Sequence, residues 1–268
     1  MKLAILIAFI SLSLPAASYA ADAEDMIQFK KDGNCPSCDL RQAEMQFGTM
    51  TGANLKNATL RDTLLKETNL EGAILEGADL RRADLEKSNL KNANLSGAIL
   101  RETDLEKANL TGAQLNNADL RDADLENAIA ENSTFRDADI RKAYMKRGNF
   151  SNADFSNAQM TNVNMKRAVI KNANFKNAKL KNATLTRADL SNANFSDTDL
   201  THANFYRANL TNAVFSDVDL KGAYFWGANL SGTDMESADD LKQSQLQGAC
   251  GNKKTRLPEG ISIPHCNP

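Results

Sequence analysis

The chain has 268 residues, of which 42% are hydrophobic and 25% are charged, proportions typical of one large or two ordinary soluble domains. Its 32 Lys and Arg residues nearly balance its 34 Asp and Glu residues. Net charge alone therefore provides no strong field that would attract nucleic acid or an anionic membrane. Two histidines and four cysteines leave few candidates for metal binding or acid–base catalysis. Aromatic residues are only 6% of the chain while Ala, Leu and Asn are abundant, which indicates repetition rather than an enzyme core.

The N-terminus has the pattern of a secretory signal peptide. Lys2 precedes an apolar run at residues 3–14, and small residues lead to a cleavage site between Ala20 and Ala21. The apolar run is too short for a membrane span, which needs about 20 residues. We therefore expect export of a mature chain to the periplasm, the extracellular space or a lumen, where disulfides persist.

A five-residue repeat runs without insertion from Leu40 to Met235. Every fifth residue gives forty positions, which hold 23 Leu, 8 Phe, 6 Met, 2 Ile and the single exception Ala130. Two residues earlier lies a second register, from Ala43 to Ala238, with 29 Ala and otherwise Gly, Ser, Thr or Val. The residue between the two registers is Asp or Asn in 24 of forty positions.

A period of five fits neither an amphipathic helix nor an alternating strand. It fits a coiling backbone in which each repeat forms one side and both registers point inward. Two sets of residues recur at intervals of twenty, which predicts four sides per coil. They are Phe135, Phe155, Phe175, Phe195 and Phe215, and Arg41, Arg61, Arg81, Arg101, Arg121 and Arg141.

These tandem Ala-(Asp/Asn)-Leu units resemble the pentapeptide-repeat family. The resemblance implies an all-β, right-handed quadrilateral β-helix over residues 39–238. Forty repeats correspond to about ten coils, or about 48 Å at the spacing of parallel strands. The expected domains are a signal peptide at 1–20, an N-terminal cap at 21–38, the β-helix at 39–238 and a C-terminal helix-and-tail cap at 239–268.

The residues two positions after each large one predict two kinds of turn. On two sides these residues are mostly Asn, Gly or Asp, which favour the positive φ of a type II turn. On the other two sides they are mostly charged, as at Arg82 and Lys107, and we expect a different turn there. The charged residues thus sort onto one half of the rod.

Both flanks have the character of caps that cover the open edges of a stacked β-rod. Residues 24–31 predict a short helix or capping segment that ends near Gly33. After Ala238 the register slips, and Asp239 and Asp240 predict a helix to about Ala249, with Gly251 after it. The tail from Cys250 to Cys266 resembles those of other exported pentapeptide-repeat proteins.

All four cysteines lie in these caps. We expect two local disulfides, Cys35–Cys38 and Cys250–Cys266, because the length of the rod separates the two caps. Cys35 and Cys38 also match a redox C-x-x-C spacing, so thiol–disulfide exchange is the alternative function. His265 and the terminal cysteines have no zinc-finger pattern, and no metal or cofactor is expected.

The residues needed for other catalytic arrangements are not all present in the sequence. His202 lies at an outward turn position without the buried acid that a catalytic triad requires. Asp79, Asp119 and Asp139 belong to a repeated ladder beside the arginine column, and we expect them to form solvated ion pairs. The chain is therefore predicted not to be an enzyme.

The resemblance also raises a DNA-related role, since some family members mimic duplex DNA and bind gyrase. A signal peptide, a net charge near zero and exposed arginine columns argue against that role here. No nucleic acid partner is expected.

One surface is a candidate site for a protein partner. Tyr206 and Trp226 are twenty residues apart at an outward position, with Tyr224 nearby, and a second arginine column lies beside them. Aromatic and guanidinium groups together are favoured at interfaces. The alternative is that the aromatic residues receive the C-terminal cap. The arginines of this column are Arg147, Arg167, Arg187 and Arg207.

The sequence therefore predicts a non-enzymatic, exported pentapeptide-repeat solenoid that acts as a protein-interaction or structural scaffold. The sequence is compatible with a monomer, an end-to-end dimer or a side-by-side dimer.

Overall fold

From Asp39 to Asp239 the chain is a coil of four five-residue sides. The computed structural model describes residues 20–266, so the predicted signal peptide, apart from Ala20, lies outside the described residues. On each side a single residue forms a parallel β-bridge with the residue twenty positions later, from the Asp39–Thr59 pair to the Asp219–Asp239 pair. Within residues 20–266 no strand is longer than one such residue. The bridges confirm the predicted twenty-residue coil.

Both predicted registers form the core. The large residues from Leu55 to Met235 and the small residues from Ala53 to Ala238 are buried. In the C-terminal half one aromatic ladder runs from Phe135 to Phe215, with successive ring centroids 4.8–5.1 Å apart. Side chains therefore stack at the same spacing as the backbone coils, and each coil buries its neighbours.

The exception at Ala130 has a packing reason. Phe150 lies one coil further on in the same column, and its ring contacts the Phe135 ring edge-on at 6.5 Å. A Cβ on Gly148 would stand only 2.5 Å from Cε2 of Phe150. Small residues at 130 and 148 thus make room for this ring, since close-packed interiors conserve local volume.

A common pattern of hydrogen bonds satisfies the five backbone N–H groups of a side. Around Leu85, the Leu85 and Lys87 N–H groups donate to the Asp104 and Glu106 carbonyls of the next coil, both at 2.8 Å. Asp84 donates to Thr63 of the preceding coil, and Ser88 closes the turn onto Leu85. The remaining N–H, that of Glu86, donates to Oδ1 of Asp84 at 3.0 Å. This last bond explains why Asp and Asn so often precede the large residue, because their side chains accept from an amide two residues ahead.

The prediction of two turn geometries is wrong. Every turn position from Ser37 to Gly232 has a positive φ, including Arg82 at 55° and Lys107 at 59°. The cost of about 1–2 kcal/mol for a left-handed residue with a side chain is offset by the hydrogen bonds that fix the turn. The Arg82 N–H donates to the Arg101 carbonyl, and the Ala83 N–H donates back to the Leu80 carbonyl. Coil stacking therefore overrides residue preference at these positions.

Helix α1, Ala23–Asp32, covers the first coil. Asp22 caps it by accepting from the Glu24 and Asp25 N–H groups at 2.9 and 3.1 Å, and Gly33 ends it with a φ of 65°. Phe29 is buried against the first coil. The short capping helix expected before Gly33 is therefore present. Among the described residues, none of the helices has the length and apolar character needed to cross a membrane.

The prediction of a C-terminal helix from Asp239 to Ala249 is wrong. The segment contains only a 3-10 helix, Gln243–Leu246, after an extended Lys242. The amide nitrogen of the Gln245 side chain donates to the Leu220 and Ala223 carbonyls at 2.7 and 2.8 Å. The tail then adds bridges at Cys250, Arg256 and His265. The 3-10 helix and the tail thus satisfy backbone groups of the last coil.

A mid-rod core substitution tests the stacking. Leu120 is fully buried, whereas Ile129 in the same region is 45% exposed. We expect Leu120→Ala to lower the free energy of unfolding by about 2–5 kcal/mol and Ile129→Ala to lower it by less than about 1 kcal/mol. Leu120→Asp, which buries a charge, should abolish soluble folded protein. Chemical denaturation followed by circular dichroism measures these effects, and a wild-type stability for Leu120→Asp would contradict the coil.

A second prediction concerns three carboxylates stacked on adjacent coils, Asp84, Asp104 and Asp124. Burial raises the pKa of Asp104, and the Asp84 and Asp124 charges raise it further. Ionisation of Asp104 thus destabilises the fold as pH rises through its folded pKa, and this effect is absent below the ordinary value of 3.8. Asp104→Asn keeps an oxygen for the Glu106 N–H, and we expect it to raise stability at neutral pH but not in acid.

Asp154→Asn is the matched control because its expected sign is opposite. Burial raises the Asp154 pKa, but hydrogen bonds from Arg136 and Ser156 outweigh burial and lower this pKa overall. Ionised Asp154 therefore stabilises the fold above the ordinary pKa, and this stabilisation is lost as pH falls through the folded value. Asp154→Asn should lower stability at neutral pH. Equal effects of the two substitutions in thermal melts across pH would contradict this account.

Candidate functional site

Three outward columns of side chains form one continuous strip along the rod, which we call the charged face. The strip consists of a bridge column (Glu44 to Tyr224) and two turn columns (Gln46 to Trp226 and Phe47 to Gly227), each read at every twentieth residue. Contacts between columns show that they are adjacent. Tyr206 stacks on Tyr224 with centroids 6.5 Å apart, and the Arg207 guanidinium lies 5.2 Å from the Tyr206 ring.

The predicted aromatic residues meet at the C-terminal end of the charged face. Tyr206 and Trp226 stack with centroids 5.1 Å apart and planes within 5°. Arg207 covers this stack, 5.3 Å from the Trp226 ring, and Tyr224 is 42% exposed beside it. A Cβ on Gly248 would stand 3.6 Å from Trp226 Nε1, so the C-terminal segment also lies along the indole. Trp226 thus borders the cap, while Tyr224 and Arg207 remain exposed.

The C-terminal part of the charged face, from Tyr144 to Gly227, carries only positive charge, and we call it the basic half. Its fifteen positions contain six basic residues and no acidic one. The four predicted arginines lie here in a single exposed column, joined by two lysines. The six are Lys146, Arg147, Lys166, Arg167, Arg187 and Arg207.

Most cations of the basic half have no carboxylate partner in the part of the chain that the structure describes. Arg147 donates to Glu126 at 3.1 Å at the boundary of the half. Arg167 and Arg187 form no ion pair within residues 20–266, and both are exposed. A shallow groove of about 280 Å³ lies between Glu126, Lys146, Arg147, Lys166 and Arg167. These cations are available to anionic groups from outside the chain.

The N-terminal part of the same face, from Glu44 to Asn127, is the acidic half. Its fifteen positions hold eight acidic residues and three lysines. The lysines are already paired: Lys66 contacts Glu86, and Lys107 lies 2.5 Å from Glu106. Asp84, Asp104 and Asp124 form no ion pair within the described part of the chain.

Separation of charge along one face was missed by the sequence reasoning, which grouped residues by column and not by position along the rod. The signal was present at twenty-residue spacing. Counting the charges of the three columns separately before and after Asn127 would have found it.

The first arginine column lies on a neighbouring side and is neutralised within the chain. Arg61 and Arg81 both contact Asp79, at 2.5 and 2.6 Å, and Arg101 and Arg121 both contact Asp119. Arg141 contacts Asp139 at 2.6 Å. Burial raises the pKa of Asp119, an effect that the Arg101 hydrogen bond opposes. These carboxylates form the ion pairs expected of them.

The structure joins Cys35 to Cys38 and Cys250 to Cys266, with Cα atoms 5.4 and 4.7 Å apart. These are the two pairs expected. Cys35 is fully buried and Cys38 is 5% exposed, so both point into the first coil beneath α1. The Asp25 carboxylate lies close to both sulfurs, but the disulfide removes the thiolates that a metal ion would need.

His202 is exposed at its turn, where its ring lies over Gly222. No acidic side chain hydrogen bonds to it among residues 20–266. The structure does not bring it together with the cysteines, the first arginine column or the aromatic stack in any catalytic arrangement.

Family models match most of the repeat region. The pentapeptide repeats model matches residues 53–92, 88–127 and 118–157, and the pentapeptide repeat region model matches residues 148–225 and 170–249. No curated protein matches the chain.

Several solved structures are similar to this chain. HetL, a pentapeptide repeat protein involved in heterocyst differentiation regulation in Nostoc sp. strain PCC 7120, is 27% identical over 79% of this chain and 96% of its own, with a TM-score of 0.43. QnrB1, a plasmid-mediated fluoroquinolone resistance protein, is 18% identical over 69% of this chain and 87% of its own, with a TM-score of 0.46. A protein of the Arabidopsis thaliana thylakoid lumen is 28% identical over 38% of this chain and 67% of its own, with a TM-score of 0.34.

The matched models together cover residues 53–249, from the last side of the first coil to the C-terminal segment. The chain belongs to the pentapeptide-repeat family, and its fold is a right-handed β-helix.

Proposed function

We propose that this protein is an exported, non-enzymatic scaffold that binds an acidic protein surface through the basic half of its charged face. One observation carries the proposal: fifteen neighbouring outward positions hold six basic residues, no acidic residue and a stacked aromatic pair. Arg, Tyr and Trp are enriched at protein interfaces, and charged surfaces steer complementary partners together. The rigid coil holds these side chains in order at about 4.8 Å per coil.

Export is supported by the contacts that begin at the predicted cleavage site. Ala21 packs against the core, and the Asp22 N–H donates to the Asp39 carbonyl at 2.9 Å. Cleavage between Ala20 and Ala21 would leave these contacts and the Asp22 cap of α1 intact. Disulfides in both caps suit an oxidising compartment such as the periplasm, the extracellular space or a lumen.

Charge reversal tests the proposed binding surface. Mature protein should capture a specific partner from the exported fraction, and Arg187→Glu/Arg207→Glu should reduce capture by about tenfold or more, because it sets like charges against each other. Lys91→Glu/Lys176→Glu is the matched control, since it reverses two exposed lysines on other sides of the rod. Quantitative mass spectrometry of captured proteins measures the effect. Equal loss with both double variants would contradict a role for the basic half.

Thiol–disulfide exchange through Cys35 and Cys38 is the alternative function. Helix α1 covers this disulfide, and the Asp25 carbonyl lies 3.4 Å from Cys35 Sγ. Redox cysteines are normally accessible to their substrate, so burial favours a structural disulfide. A DNA-mimic role is disfavoured by the basic half, because duplex DNA is negative along its whole length.

The redox alternative is tested by the state of the four cysteines. In exported protein alkylated without reductant, mass spectrometry should find Cys35–Cys38 and Cys250–Cys266 both oxidised. The Cys35–Cys38 bond should resist reduction until the protein is denatured. Free Cys35 and Cys38 in the native exported protein would instead favour the redox function.

A further inference from the structure

We propose that a second copy of this chain binds the charged face, so that two rods associate side by side and antiparallel with the acidic half of each against the basic half of the other. This proposal rests on the proposed function, since it names an occupant for the same surface. The acidic half has eight acids against three lysines, and the basic half has six cations and no acid. Two copies in parallel would set like charges together, which disfavours that orientation.

The charge boundary defines the expected register. The change of sign falls between the coil of Asp124 and the coil of Tyr144. A two-fold axis through this boundary, in the plane of contact, pairs the coil of Asp104 with the partner's coil of Asn164. It likewise pairs the coils of residues 84 and 184. Each contact then occurs twice, as required for an isologous dimer.

The same register brings exposed apolar residues together. At the outer end of the acidic half, Phe47 is 69% exposed and Leu64 is 37% exposed. The coils that oppose them carry Tyr206, Tyr224 and Trp226 at the outer end of the other copy's basic half. Antiparallel packing therefore places apolar residues at both ends of the interface, and between them it sets Glu106 and Glu126 of one copy against Lys166 and Lys146 of the other.

The area of the charged face is that of a specific dimer interface that forms and dissociates reversibly. Ten coils extend for about 48 Å, and three outward positions are about 10 Å wide. The contact would bury about 500 Å² per copy, or about 1,000 Å² in total, which is near the lower limit for a specific interface. The uninterrupted repeat keeps the face free of protruding loops. End-on stacking is opposed by α1 and the C-terminal segment, which cover the two ends.

Two sets of unpaired groups support this pairing. Asp84, Asp104 and Asp124 stack without an ion pair among the described residues, and their mutual repulsion contributes to the raised pKa of Asp104. Arg167 and Arg187 likewise form no ion pair within residues 20–266. In the proposed register the coils of Asp84 and Asp104 oppose the coils of Arg187 and Arg167, one column to the side. Lys87 and Lys107 face these arginines directly, so the net attraction comes from the excess of acidic residues over lysines in the acidic half.

Sedimentation equilibrium of mature protein tests the association. We expect a dimer with a dissociation constant of about 1–50 µM at low salt, weakened by at least tenfold when about 0.5 M salt shortens the Debye length to about 4 Å. A monomer at about 100 µM in low salt, or a dimer that is insensitive to salt, would overturn the proposal.

A charge exchange tests the orientation. Glu106→Lys and Lys166→Glu, whose side chains oppose each other in this register, should each weaken the dimer by about tenfold or more, and the double variant should regain affinity to within about threefold of wild type. Lys91→Glu/Lys176→Glu should leave the dimer unchanged. Circular dichroism and thermal melts confirm that each variant is folded. If the double variant is weaker than either single variant, the antiparallel register is wrong.

Carbodiimide cross-linking gives an independent readout, since it joins carboxylates to lysines that are in contact. In a mixture of isotopically labelled and unlabelled protein, cross-links between copies should join Asp104 or Glu106 to Lys166. Cross-links only within single copies would contradict the dimer.

The outcomes separate this inference from the proposed function. A monomeric protein whose partner capture is abolished by Arg187→Glu/Arg207→Glu refutes the dimer and retains the scaffold function. Loss of both the dimer and the selective capture refutes both.

Discussion

The backbone hydrogen bond between coils is the constraint on which the rest of the structure depends. In each five-residue side, two N–H groups donate to the following coil and one donates to the preceding coil, as at Leu85, Lys87 and Asp84. These bonds fix the repeat at twenty residues and force a left-handed turn residue at every corner. They also leave one amide per side, which an Asp or Asn side chain satisfies where the sequence supplies one, as at Asp84. Burial of one large residue in five adds to this ladder but could not replace it, because ordering the other residues costs about 1–2 kcal/mol each.

The same constraint converts sequence into surface pattern. Residues twenty apart become neighbours at about 4.8 Å, so a repeated residue type becomes a continuous column. Asparagines at turns, such as Asn172 and Asn192, donate side chain to side chain at 3.0 Å along the rod. Aromatic residues stack in the same way at Tyr206 and Trp226. Like charges also stack, as at Asp84, Asp104 and Asp124, where burial and the neighbouring carboxylates raise the pKa of Asp104.

Much of this fold could be predicted because its determinants are periodic. The two inward registers, the twenty-residue coil and the local pairing of the cysteines all follow from spacing. The turns could not be predicted from residue preference, because stacked coils hold even Arg82 and Lys107 at positive φ. The prediction of a C-terminal α-helix was wrong for a similar reason. The local pattern after Asp239 favours an α-helix, but the last coil presents the Leu220 and Ala223 carbonyls, and Gln245 reaches them from the short 3-10 helix Gln243–Leu246.

The candidate site depended on information that is not local. Sequence reasoning placed Arg187, Arg207, Tyr206 and Trp226 on one surface, and the structure brings them together. It did not place the acidic residues of earlier coils on the same face, since that requires the three adjacent columns to be followed along the whole rod. Columns are therefore the natural unit in which to compare the surfaces of such proteins.

The charge separation also limits how the chain can neutralise itself. Opposite charges of the two halves meet within one copy only at the boundary, where Arg147 contacts Glu126 at 3.1 Å. The centres of the halves are five coils apart, about 24 Å at the spacing of parallel strands. That distance exceeds the Debye length of about 8 Å at physiological ionic strength, so the remaining charges cannot compensate each other within the chain. A near-neutral chain thus carries two oppositely charged surfaces, which salt ions or an oppositely charged macromolecule must neutralise from outside the chain.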